Sequence, residues 1–112
     1  MEPDSYAKRL WVLWLALPLT ALNYWLSWSH LPARIVMHHD ASGRPNGWAS
    51  PDGARMFSLG FLFALLLVLT AVGYLVAYLR PDRVKPAVVL LYLVVGVVWA
   101  CLNAFVWLNL AG

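Results

Sequence analysis

The stretch FSLGFLFALLLVLTAVGYLVAYL, residues 57–79, runs without a single Asp, Glu, Lys, Arg or His. At about 1.5 Å rise per residue, an apolar helix of roughly 20 residues covers the ~30 Å hydrocarbon core of a bilayer. A small soluble fold leaves much of each helix facing water and cannot hide such a segment. The residues just ahead of it read SPDGARM. Ser50 is a good N-cap, Pro51 suits the first helical position, and Asp52 favours the positive end of the helix. The helix is therefore predicted to begin near Pro51 and to run to about residue 80.

Two further apolar runs flank this one, residues 10–29 after Lys8 and Arg9, and residues 87–110 after Pro86. Pro18 lies inside the first and predicts a kink rather than a break, since a helical bundle offers the freed backbone groups other partners. A secretory signal would have an apolar core of about 7–15 residues and a small-residue cleavage site. This run is longer, and SWSHLPA is a poor site. The fold class that follows is an all-α membrane protein. It is one domain over residues 1–112, with transmembrane helices at about 8–29, 51–80 and 85–111 and an ordered extracytoplasmic loop at 30–50. Composition agrees: the 112 residues are 62% hydrophobic and 12% charged, against about 45–50% and about 25% for soluble domains.

The net charge of +3 is distributed by topology. Lys8, Arg9, Arg80, Arg83 and Lys85 fall on one side of the three helices. Arg34, Arg44 and Arg55 fall on the other, with Asp40 and Asp52. The positive-inside rule places the N-terminus and the 80–85 turn in the cytoplasm, and the 30–50 loop and the C-terminus outside. Trp11, Trp14, Trp25, Trp28, Trp48 and Trp107 lie near helix ends or in the loop, as an interfacial belt requires. No basic stripe interleaved with aromatics is present, so no nucleic-acid partner is expected. Cys101, the only cysteine, sits in an apolar run and can form no intrachain disulfide.

Inside the apolar runs a few small and polar residues stand out. Gly96, Ala100 and Ala104 repeat every four residues and form a helix-packing seam that allows close backbone approach. It serves either ordinary packing of the three helices or an interface with a second copy or a membrane protein partner. Gly60 with Ala64, and Gly73 with Ala77, make similar patches. Asn23 and Asn103 lie at similar depth on the first and third helices and are predicted to approach each other. They form a structural clamp or line a cavity beneath the loop, because amides in lipid need partners. No Asp, Glu, Lys, Arg or His interrupts the runs, which argues against a proton-coupled pump or an ion pathway.

The loop itself reads SHLPARIVMHHDASGRPNGWAS, residues 29–50. Long connections are usually functional or disordered, and this one is dense in turn residues. DASG and RPNG are turn signals, Asp40 can bond its own backbone, and Gly43 and Gly47 accept positive φ. RIVMHH has β-branched character. The reading is a short extended segment, a turn, and Trp48 packed near the mouth of the helices.

Leu31, Pro32, Arg34, Ile35, His38, Asp40, Gly43, Pro45, Asn46, Gly47, Trp48 and Ser50 fall at a fixed spacing over about 20 residues. This pattern resembles the signature of a bacterial membrane-domain family of unknown function, found at the N-terminus of SdpI-like toxin-immunity proteins. Three positions depart from it. Val36 stands where proline is usual, His39 where an aromatic is usual, and Pro51 where a basic residue is common. The resemblance implies a bacterial cytoplasmic membrane location. It also implies an immunity- or protection-like role and carries no biochemical activity; SdpI-like proteins continue into further helices, and three helices alone read equally as a stand-alone subunit.

The same residues have a chemistry of their own. His38 and Asp40, with His30 upstream, are candidate zinc or copper ligands. They share a face if the segment is a regular strand, but a third ligand is not evident, and no cofactor is otherwise expected. His38 and Asp40 could also act as a base and its orienter. No nucleophile elbow, zincin motif or phosphate-binding glycine loop accompanies them, so an enzyme is not expected. Arg34, His38, Asp40, Gly43, Asn46, Gly47 and Trp48 are read as the ligand-binding or loop-bracing set. The function expected is a membrane protein whose outer loop recognises a peptide, toxin or lipid. An accessory subunit of a larger complex is the alternative.

Overall fold

The computed structural model describes residues 3–110. Three helical segments are long and apolar enough to cross a membrane: Ser5–His30, Pro51–Leu79 and Pro81–Leu110. They run up, down and up, and no more than 28% of the most apolar stretch of any one is buried. The remainder turns Leu, Val, Phe and Trp side chains outward. Such a surface is compatible with a multi-pass membrane protein.

The first segment is not a uniform α-helix. α1 (Pro3–Lys8) and α2 (Ala16–Ser27) are joined by a 3₁₀ stretch, Arg9–Leu15. Pro18 has no N–H to give the carbonyl four residues back, and its ring crowds that turn. The tighter winding lies just ahead of it. Side chains on the second and third segments engage this stretch. Trp11 Nε1 donates to the Tyr74 hydroxyl (2.9 Å), Trp14 Nε1 to Thr70 Oγ1 (3.0 Å), and the Tyr92 hydroxyl to the Arg9 carbonyl (2.5 Å).

α3 (Pro51–Leu79) starts as its sequence dictates. Ser50 is extended, its Oγ accepts from the Gly53 N–H at 3.0 Å, and Pro51 opens the first turn. A 3₁₀ turn, Pro81–Arg83, leads into α4 (Val84–Leu110).

Three buried clusters stack along the bundle. Ala7, Leu10, Ala77, Val84, Val88 and Leu91 fill the end nearest the 80–85 turn. Leu62, Leu66, Val95 and Leu102 fill the middle. Tyr24, Ile35, Ala54 and Val106 close the other end. The tight glycine contact is at Gly73, which is buried and faces Leu10 and Leu91. The proposed seam does not do this work inside the chain. Gly96 and Ala100 are exposed, Ala104 is half-buried, and a Cβ on Gly96 would meet nothing within 4 Å. Gly60 and Ala64 are also exposed. α4 turns its seam away from the other two segments.

The all-α class needs correction in the connection. Ile35–His39 (β1) and Pro45–Ala49 (β2) form a two-stranded antiparallel sheet. One extended segment is legible there. The second is hidden because Pro, Asn and Gly are poor strand formers.

Candidate functional site

The hairpin is built from its turn outward. Asp40 Oδ1 accepts from the Ser42 N–H (2.9 Å), the Ser42 hydroxyl (2.7 Å) and the Arg44 N–H (3.0 Å). The Asp40 N–H donates to the Arg44 carbonyl and the Gly43 N–H to the Asp40 carbonyl. Gly43 takes φ +86°, which an L side chain rarely adopts. Asp40 and Gly43 are thus turn builders.

The strands pair Ile35 with Ala49, Val36 with Trp48, His38 with Gly47 and His39 with Pro45. The register shifts on both sides of His38. An irregularity of this kind re-aims a side chain that strict alternation would have placed elsewhere. His38 Nδ1 faces Asn46 Oδ1 at 2.6 Å. Because an amide oxygen only accepts, Nδ1 carries the proton in this contact. Gly47 lies close beneath, where a Cβ would approach His38 Cβ to 3.1 Å.

The ring nitrogen that an orienting carboxylate would hold is therefore engaged by an amide, and Asp40 Oδ1 is committed to the turn. Among the described residues, no group of three or more His, Cys, Asp or Glu side chains is placed to hold a metal ion.

Two opposite faces follow from the pairing. Ile35 and Ala49 share one face and their neighbours Val36 and Trp48 the other. Ile35 is fully buried against the bundle. Trp48 is 47% exposed, with the Arg34 guanidinium 4.8 Å above its ring. The expected plug at the helix mouth is therefore Ile35 and not Trp48. The Arg34–Trp48 stack lies on the face of the hairpin opposite Ile35, with His38, Arg44 and Asn46 also exposed.

Sequence reasoning missed the residue that ties this hairpin down. Asn109, near the end of α4, accepts from the Val36 N–H at 3.1 Å and donates to the Val36 carbonyl at 3.4 Å. It also donates to the Phe105 carbonyl at 2.6 Å. Its amide thus occupies the place of a neighbouring strand along the free edge of β1. The only signal was a lone amide in the last turn of an apolar run. Beneath it, the Tyr24 hydroxyl bonds Ser58 Oγ (3.0 Å) between α2 and α3. Asn23 Nδ2 donates to Asn103 Oδ1 (2.8 Å) between α2 and α4. The hairpin therefore rests on a layer of cross-helix hydrogen bonds.

Asn109→Leu is expected to release β1 with the helices intact. Loss of the paired bonds, worth about 1–2 kcal/mol, should speed amide exchange over residues 35–49 roughly tenfold. Unchanged exchange there would show that Ile35 alone holds the hairpin.

The class defined by this arrangement is a bundle of three membrane-length apolar helices, capped at one end by a β-hairpin between the first two. Residues 19–63, from within α2 through the hairpin into α3, match a family described as a domain of unknown function (DUF1648). No curated protein and no solved structure matches the chain.

Proposed function

We propose that the chain is a multi-pass protein of the bacterial cytoplasmic membrane, and that its hairpin recognises an extracytoplasmic polypeptide in an immunity- or protection-like role. The observation that carries this reading is the division of labour within the hairpin. Ile35 and Asn109 join it to the bundle, while Arg34, Trp48, His38 and Asn46 stand on or beside the exposed strands. A recognition surface held in advance loses less entropy on binding than a free loop. Exposed Trp and Arg are the residue types that dominate protein interfaces. The orientation rests on Lys8, Arg9, Arg80, Arg83 and Lys85 at the end away from the hairpin. The resemblance to domains of toxin-immunity proteins points the same way.

A second reading has its own observation. Gly96 and Ala100 face outward on α4, where a small-residue strip lets another helix approach closely. That favours an accessory subunit or a homo-oligomer.

One experiment separates the two. A photo-crosslinking residue is placed at Trp48 or at Gly96 of the full chain in native membranes. The recognition reading expects adducts with an extracytoplasmic polypeptide from position 48, reduced about tenfold by Arg34→Ala. Adducts from position 96 alone would replace it with the subunit reading.

A further inference from the structure

Beside the hairpin, α2 and α3 enclose a groove of about 650 Å³. Ala21, Trp25, Trp28, Met56 and Leu59 line it, and Arg55 borders it. The Arg55 guanidinium lies 5.0 Å from the centre of the Trp28 ring, and one of its terminal nitrogens is bonded to the Asp52 carboxylate. Both charges stay accessible, with side-chain exposures of 41% for Arg55 and 65% for Asp52. The groove thus combines an apolar wall with the Arg55 cation, whose bonded partner Asp52 supplies an anion next to it.

We propose that this groove holds one phospholipid whose headgroup is zwitterionic. The lipid phosphate sits on Arg55, the headgroup ammonium beside Asp52, and the upper acyl chain lies along Ala21, Met56 and Leu59. Charge complementarity selects this occupant. A guanidinium has five N–H donors in a planar fork suited to phosphate, and the bond to Asp52 engages only one of its nitrogens. A purely anionic headgroup or a free phosphate ion would meet the Asp52 carboxylate without compensation. A free phosphate would also leave the apolar wall uncovered. Trp25, 74% exposed, and Trp28 place the groove at the level where tryptophans mark the membrane interface. The site is separate from the Arg34–Trp48 stack, and its occupancy does not depend on what the hairpin recognises.

The test is native mass spectrometry of the full chain in mild detergent with phosphatidylethanolamine or phosphatidylglycerol added. One phosphatidylethanolamine per chain is expected, retained about tenfold better than phosphatidylglycerol, as one charge-assisted contact allows. Arg55→Gln should reduce that retention about tenfold. Ala21→Phe, which fills the groove and keeps both charges, should also reduce it. Asp52→Asn should lower phosphatidylethanolamine retention and raise that of phosphatidylglycerol, a reversal that misfolding does not produce. Equal retention of the two lipids, or retention unchanged in Arg55→Gln, would overturn the proposal.

Discussion

Replacing Gly73 by leucine is expected to destabilise the bundle by about 3 kcal/mol and to cut the folded yield sharply. Overpacking a closed core costs about 1–3 kcal/mol or more, and this site is closed on two sides. Gly73 is buried on α3, a Cβ there would overlap Leu10 Cδ1, and Leu91 Cδ1 lies 3.6 Å away. Leu10 is itself 1% exposed and packs in the same cluster as Ala7 and Leu91, so it has little room to swing aside. Alanine displaces only the terminal Cδ1 methyl of Leu10, a smaller shift than leucine demands, and should cost about 1 kcal/mol. Leucine has to separate the 3₁₀ stretch of the first segment from α3. The comparison variants are Gly60→Leu and Gly96→Leu, at positions where an added Cβ meets nothing within 4 Å. These should stay within about 0.5 kcal/mol. Thermal unfolding in detergent reads all four. A cost at Gly73 no greater than at Gly60 would mean that the first segment does not seat against α3 in this way.

The contrast between Gly73 and Gly96 shows how far the sequence could be read. Length and lack of charge mark the three membrane-length helices, because these depend only on residues along one strip of chain. Ser50, Pro51 and Asp52 mark the start of α3 for the same local reason. The approach of Asn23 to Asn103 was legible from depth, since two amides in apolar runs at one level have few other partners. Which small-residue patch faces inward was not legible. In water an amphipathic pattern separates inside from outside, but here both sides of each helix are apolar, so Gly73 and Gly96 look alike. Trp48 was expected near the helix mouth, whereas the hairpin residue fully buried there is Ile35 and Trp48 is 47% exposed. Large aromatics usually anchor loops, and the pairing of Val36 with Trp48 becomes apparent only once β2 exists. Asn109 was missed because its partner is the backbone of Val36, and side-chain patterns say nothing about backbone groups.

The second large effect is expected at Asn103. Its side chain is fully buried, and both hydrogens of Nδ2 are engaged, by Thr20 Oγ1 at 3.1 Å and by the Trp99 carbonyl at 2.8 Å. Its Oδ1 accepts from Asn23. One amide on α4 therefore holds two residues of α2. Asn103→Leu keeps the volume and removes the polar contacts, and it leaves the Asn23 amide without its partner. Interhelical hydrogen bonds in membrane proteins are worth about 0.6 kcal/mol each and rarely above about 1.7 kcal/mol. The sum, with the stranded amide, is about 2 kcal/mol. Asn23→Leu should cost less, about 1 kcal/mol, because Asn103 keeps its bonds to Thr20 and Trp99. The double variant should cost clearly less than the two singles added together, since it removes the stranded amide along with the bond. Contacting polar pairs couple by about 0.5–3 kcal/mol in such cycles, and reversible unfolding in mixed micelles would measure the coupling here. Full additivity would mean that the two amides act separately and that water, entering from beneath the hairpin, serves Asn23 instead. In that case the layer under Ile35 would be wet, and the hairpin would sit on a hydrated pocket in place of a dry clasp.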